Sequence, residues 1–378
     1  MAKETMKKTT SKKATAHKTS SAKTASAKGS RGGAKKKAAR KKKRMMIFGI
    51  EIAVILILVL GFWVVSKLDK LQKPKVDPEK VEVNDTIQES TLESMKGYTT
   101  VALFGLDTRQ AGQLGSGNRS DTVIIASINN DTGEVRLASV FRDTYLDMTT
   151  GKFNKANSAY STGGPEQAIK MLNKNLDLTI EKYISVDFAA MTDAVDLLGG
   201  IDIDVDEAEI DHLNNYMVET SKVTGVASKP LTHTGLQTLD GVQATSYCRI
   251  RYTAGDDFKR TERQREVIQE LVRKAKTMEI SKINDIINAV FPKIATNYSN
   301  KELLEMAPQM IGYDIADTAG FPFDRETGTI SGRGSCVIPV NLAENVRQLH
   351  EFLYENYDYT PSSEVQKISE QITADTGY

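Results

Sequence analysis

The apolar positions along this chain change their pattern several times. From Met45 to Val65 (MMIFGIEIAVILILVLGFWVV) they are nearly continuous, with Glu51 the one charge. That length matches a helix crossing a hydrocarbon core. It is too long for a cleaved signal peptide, and no Ala-x-Ala-like site follows it. Further on, TTVALFGLD (99–107) and DTVIIASIN (121–129) are rich in β-branched residues and predict buried strands. NNDTG (129–133) is turn chemistry, after which EVRLASVFR (134–142) returns as a third strand. Gly164-Pro165-Glu166 opens a helix carried by Ile169 and Leu172. A strand (182–187), a helix (188–198) closed by Gly199-Gly200 and a strand (201–205) follow. The spacing then predicts a long amphipathic helix from Thr261 to Met278, and more helices near 281–291, 299–311 and 341–356. Alternating strands and helices imply an α/β fold: a layered α/β/α sandwich with a central mixed sheet. One domain over 97–378 fits the pattern, with a helical C-terminal part from 276.

Charge divides the chain further. Residues 1–44 hold 17 Lys and Arg against one acid, Glu4, leaving 33 basic and 48 acidic residues after them. The near-neutral total of +1 thus hides a basic tail and an acidic remainder. The tail has almost no large apolar residue and is expected to be disordered. By the positive-inside rule it lies in the cytoplasm, with Trp63 at the outer interface and everything after about Lys70 outside a cell membrane crossed once. A nucleic-acid partner is not expected, because no recognition helix or aromatic accompanies the charge. The stretch 68–96, with Pro74 and Pro78, reads as a stalk. Cys248 and Cys336 are the only cysteines, so a disulfide and two free thiols are both open. Histidines at 17, 212, 233 and 350 offer no zinc spacing.

The motifs of common hydrolases and kinases are missing: there is no Gly-x-Ser-x-Gly, no Gly-Lys-Ser/Thr loop and no His-Glu-x-x-His. Aspartates and arginines stand instead where strands end. If the first two strands pair antiparallel, Asp107 and Asp121 share one edge of the sheet. Two carboxylates there suit a hard divalent cation, Mg²⁺ or Mn²⁺. Taken singly, each Asp–Arg pair reads more simply as a turn or cap; three at adjacent strand ends (Asp107–Arg109, Arg119–Asp121, Arg142–Asp143) point to a site. Arg249 and Arg251 would face one way if extended, and Arg260, Arg263 and Gln264 share a helix face. Guanidinium forks match phosphate oxygens and stay charged when partly buried. Such a group would repel itself without an anion among its members. The residues therefore imply an enzyme acting on a phosphate ester or anhydride.

These stretches resemble the LytR–CpsA–Psr family of cell-envelope phosphotransferases. The likeness is carried by GLDTR (105–109), NRSDT (118–122), FRDTYL (141–146), KFNKANSAYSTGGPE (152–166), VDLLGGIDIDV (195–205), LDGVQATSYCRIRY (239–252) and DDFKRTERQ (256–264). It implies an apolar tunnel for a polyprenyl chain and transfer of a glycopolymer, such as a teichoic acid or capsule polysaccharide, from polyprenyl pyrophosphate to peptidoglycan. By the same resemblance Asp107 and Asp121 hold the metal, while Arg119, Arg142, Arg249, Arg251, Arg260 and Gln264 grip the pyrophosphate. Lys152 and Asp257 match further polar positions, and Asp143 or Asp257 serves as base. Lys259 stands where many relatives have Gly, and Phe141 where Pro is frequent, in a strand expected simply to continue. Rival readings are a polyprenyl pyrophosphate phosphatase and an envelope-linked transcriptional regulator.

Overall fold

The computed structural model describes residues 61–378 except 75, 77–80, 82, 109, 252 and 254, together with Ile52, Ile55, Leu56 and Val59. The fold below is that of the unit Phe62–Tyr378. The basic tail and most of the apolar run 45–65 lie outside the described residues. Among the described residues no helix is long and apolar enough to cross a membrane.

In chain order the elements are α1 (Glu89–Met95), β1 (Tyr98–Asp107), β2 (Arg119–Asn129), β3 (Glu134–Val140), β4 (Tyr145–Asp147), β5 (Phe153–Lys155), α2 (Asn157–Leu176), β6 (Lys182–Asp187), α3 (Phe188–Leu197), β7 (Ile201–Val205), α4 (Glu207–Thr224), β8 (Gly235–Leu239), α5 (Gly241–Tyr247) and α6 (Asp256–Lys276). The chain continues through α7 (Ile280–Val290), β9 (Ile294–Thr296), α8 (Asn300–Met310), β10 (Asp314–Phe321), β11 (Arg325–Ile330), β12 (Gly334–Pro339), α9 (Leu342–Tyr354) and α10 (Ser363–Thr376).

The central sheet has the order β10-β3-β2-β1-β6-β9. β1 is antiparallel to β2 and parallel to β6, and β3 is antiparallel to β2 and parallel to β10, so the sheet is mixed as expected. Both faces are covered, because successive side chains of a strand point to opposite sides. On one face Ala102, Phe104, Val123 and Ile125 join a core with Ile169 and Leu172 of α2 and with α9 and α10. On the other face Ile124, Ala126 and Leu137 meet Ile268 of α6. Burial on both sides explains why the interior of β2 reads as an almost unbroken apolar run.

The structure departs from the sequence reading in several places. α2 starts at Asn157, before the expected Gly164, because a kink at Gly163-Gly164 joins two helical segments. Pro165 disfavours helical backbone in the residue before it, and Gly164 adopts φ +69° with ψ −157°, a region open mainly to glycine. The earlier turn is anchored by Tyr160, whose buried hydroxyl donates to the Leu114 carbonyl. The C-terminal part, expected to be helical, also holds β9, β10 and the β11–β12 hairpin. β10 is a half-exposed edge strand with only one large apolar residue, Ile315, before Phe321, and so lacks an apolar signal. β3 ends at Val140, so Phe141 opens a turn instead of continuing the strand. The expected stalk is instead part of the folded unit: Leu71, Val81, Ile87 and Met95 are buried, and Gln72 N–H donates to the Ile294 carbonyl. Those apolar residues are too widely spaced to show a period.

Candidate active site

Between the sheet and helices α3–α6 lies a cavity of about 430 Å³. Leu103, Ile124, Ile184, Met191 and Ile268 give it apolar walls. Asp107, Asp121, Arg249, Arg251, Arg260 and Gln264 also line it. Strand register explains the gathering of charge. Leu106 of β1 sits opposite Asp187 of the parallel β6, and Asp107 opposite Arg119 of the antiparallel β2. The ends of β1 and β6 and the start of β2 therefore share one sheet edge. A register shift after Gly105 falls beside Asp121.

An ion cluster is built at that edge. Arg142 lies in the turn after β3, and its Nη1 donates to both oxygens of Asp121 at 3.0 and 2.9 Å. Its Nε stands 3.4 Å from Asp143 and 3.4 Å from Asp257. Arg260, 3% exposed, approaches Asp257 at 3.2 Å and Asp121 at 3.8 Å, and also donates to the Asp121 carbonyl. Arg251 Nε is 3.6 Å from Asp257. Three guanidinium groups thus surround the Asp257 carboxylate, yet neither of its oxygens accepts a hydrogen bond of ordinary geometry from a described residue. The carboxylates supply part of the anion that so many arginines require.

Burial is the largest influence on each group. It pushes the Asp257 carboxyl up from its ordinary range, against the pull of Arg260 and Arg142. It draws the Arg260 guanidinium down against Asp257 and Asp121. For Arg142 burial also opposes the charge, but Asp121, Asp257 and Asp143 together outweigh it and hold the guanidinium above its ordinary value.

The predicted residues separate into three groups. Asp121, Arg142, Asp143, Arg251, Asp257 and Arg260 meet in the cluster. Asp107, Arg249 and Gln264 line the cavity. Arg249 reaches Glu219 at 2.7 Å and stacks over Phe188 and Tyr216 at 4.6 and 5.3 Å. The Gln264 amide donates to the Cys248 carbonyl at 3.3 Å, while its buried Oε1 has no partner among the described residues. Two residues are not brought in. Arg119 is exposed at the start of β2, and Lys152 is exposed in the turn before β5. The lysine that does reach the cluster is Lys155, with its Nζ 3.0 Å from Asp143. Sequence reasoning missed it; the signal was Asn-Lys-Ala-Asn, which enters α2 directly beside Arg142, whose carbonyl accepts from Asn157 N–H.

Arg263, placed by spacing on the same face as Arg260, is structural. It is 1% exposed, its Nε donates to Glu209 at 2.7 Å, and its other nitrogens hold the Ile250 carbonyl and the Thr253 hydroxyl. Removing one partner of such a buried pair costs about 3–5 kcal/mol. Lys259, in place of glycine, pairs with Glu262 at 3.1 Å. Cys248 and Cys336 are both free thiols, and burial pushes the Cys248 thiol up to about 12.

Among the described residues no group of three or more His, Cys, Asp or Glu side chains converges on a metal site. Mg²⁺ commonly takes only one or two carboxylates and fills its shell with phosphate oxygens and water. Asp107 and Asp121, lining the same cavity from adjoining strand ends, are a donor set of that kind.

Comparison with known proteins agrees with this architecture. The model of the LytR_cpsA_psr family matches residues 60–333. The polyisoprenyl-teichoic acid–peptidoglycan teichoic acid transferase TagU of Enterococcus faecalis is 32% identical over 277 residues, covering 70% of this chain and 83% of that protein. The enzyme of the same description called TagV, from Bacillus subtilis, is 26% identical over 333 residues, covering 85% and 80%. Among solved structures, B. subtilis TagV superposes with a TM-score of 0.53 at 24% identity, over 70% of this chain and 99% of the other, a likeness of fold.

Proposed function

Because the chain belongs to the LytR–CpsA–Psr family, we propose that it transfers a glycopolymer of the teichoic acid class from a polyprenyl pyrophosphate carrier to peptidoglycan. One observation carries this reading: an apolar cavity of about 430 Å³ is lined at a sheet edge by arginines and aspartates. A lipid-linked pyrophosphate has the same two halves. The prenyl chain fills the apolar part, and the pyrophosphate displaces carboxylate contacts from Arg251, Arg260 and Arg249, with Gln264 beside them.

In the reaction, an acceptor hydroxyl attacks the phosphorus that bears the glycan. The bond from that phosphorus to the bridging oxygen breaks, polyprenyl phosphate leaves, and a phosphodiester to peptidoglycan forms. Arg142 stabilises the charge that develops on the phosphoryl oxygens, and Asp121 orients it. The hydroxyl proton passes to Asp257 or Asp143. A divalent metal held by Asp107 and Asp121 would neutralise charge on the phosphate oxygens. On the same reading the apolar run 45–65 tethers the folded unit outside the cytoplasm, near a substrate that is itself lipid-bound.

Arg142→Ala and Asp121→Ala test the reading. Each is expected to lower the transfer rate by about 10²–10³-fold, with circular dichroism and melting temperature close to those of the wild type. Unchanged turnover in both variants would refute it.

A further inference from the structure

A second cavity, of about 330 Å³, adjoins the ion cluster. Arg142, Asp143 and Asp257 line it together with Phe258, Thr327 and Ser335. Thr327 belongs to β11 and Ser335 precedes the buried end of β12, so the outer wall is the hairpin that sequence reasoning did not foresee.

This hairpin is tied to the cluster. Val337 N–H donates to the Asp143 carbonyl at 2.9 Å. Arg333 Nε donates to the Phe153 carbonyl at 2.8 Å. Arg325, at the start of β11, lies over the rings of Phe141 and Phe258 at 4.9 and 4.3 Å and donates to the Pro322 and Phe323 carbonyls. Phe258 is thereby held in the wall against Phe141, with ring centroids 4.7 Å apart.

Its place relative to the first cavity is informative. Arg251 lines both, whereas Asp121 and Arg260 line the first, and Arg142, Asp143 and Asp257 line the second. Because Arg142 contacts Asp121 while Arg260 and Arg251 contact Asp257, the cluster is a partition between two spaces. Phosphoryl transfer places the attacking and leaving oxygens roughly in line on opposite sides of phosphorus. A phosphorus held at the partition, with its lipid leaving group in the first cavity, is open to attack from the second.

Resting on the transferase reading above, we propose that the second cavity is the acceptor subsite, and that it seats a neutral, hydroxyl-bearing sugar ring of the glycan acceptor. The lining fits this chemistry. Asp143 and Asp257 accept hydrogen bonds from hydroxyls and disfavour a second phosphate, Thr327 and Ser335 both donate and accept, and Phe258 offers an apolar face. Burial raises the affinity of Asp257 for a proton, which suits it to receive one from the attacking hydroxyl. That oxygen then bonds to the glycan-bearing phosphorus as polyprenyl phosphate departs.

Thr327 and Ser335 are both exposed, so a larger side chain at either position fills the cavity without entering the core. Thr327→Trp and Ser335→Trp, made in the full chain in detergent, are tested with a polyprenyl-pyrophosphate-linked glycan and a soluble peptidoglycan oligosaccharide. The acceptor KM is expected to rise by about tenfold or more in both variants while the donor KM stays within about twofold. An acceptor KM unchanged in both, or a donor KM that rises instead, overturns the proposal and leaves the transferase reading standing. A wild-type chain that forms no acceptor-dependent product overturns the transferase reading, and this proposal with it.

Discussion

Arg142 and Arg263 carry the same guanidinium group to different ends. Every nitrogen of Arg263 is turned to a fixed partner in the fold, and its charge is closed off by Glu209. Arg142 faces a cavity and is balanced by carboxylates that a stronger anion can replace. His350 shows a third use of a titratable group. It is fully buried, stacks on Tyr359 with ring centroids 3.8 Å apart, and donates from Nε2 to the Leu176 carbonyl. Burial lowers its pKa from 6.5 to about 4, so the folded state holds it neutral. Its contribution to stability is complete above pH 6.5 and is lost as pH falls towards 4, because the unfolded chain takes up the proton first. The loss amounts to about 3 kcal/mol. Urea unfolding at pH 7 and pH 4.5 checks this: His350→Phe should lose distinctly less stability between the two than the wild type, and an equal loss contradicts the assignment.

At the scale of elements, the cavity depends on how closely α3 and α5 approach. Gly241 is the first residue of α5, and its N–H donates to Asp196 of α3. A Cβ at this position would stand 2.1 Å from the Thr192 carbonyl oxygen, a backbone atom that cannot turn aside. Gly241→Ala must separate the two helices, at a cost of about 1–3 kcal/mol. The turn carrying Arg249 and Arg251 follows α5, so the variant is also expected to bind a prenyl pyrophosphate more weakly; a melting temperature and a lipid titration equal to those of the wild type would count against this packing. The sequence was informative here where spacing and burial agree. Strands β1 and β2 could be read from their β-branched apolar runs, and helices α3, α6 and α9 from their period. The edge strand β10 and strand β11 could not, since neither alternates regularly between buried and exposed positions, and the kink at Gly163-Gly164 hid the first turns of α2.

Over the whole molecule, the charged residues named from strand ends and helix spacing largely meet, because the mixed sheet brings the ends of β1 and β6 to the start of β2. What spacing could not show was the partner of each charge. Arg263 looked like a neighbour of Arg260 but turns inward to Glu209, while Lys155, which spacing did not single out, pairs with Asp143. The second cavity was invisible for a related reason: its walls come from the turn after β3, from the start of α6 and from a hairpin about 70 residues beyond that. The two cavities and the partition between them make one claim about reaction type. The most direct measurement of it is a product balance, using the full chain in detergent with a defined polyprenyl-pyrophosphate-linked glycan and a peptidoglycan acceptor. One phosphodiester-linked glycan is expected for each polyprenyl phosphate released, with release dependent on the acceptor. Release of phosphate and lipid at the same rate without acceptor, and no glycan joined to peptidoglycan, would contradict it.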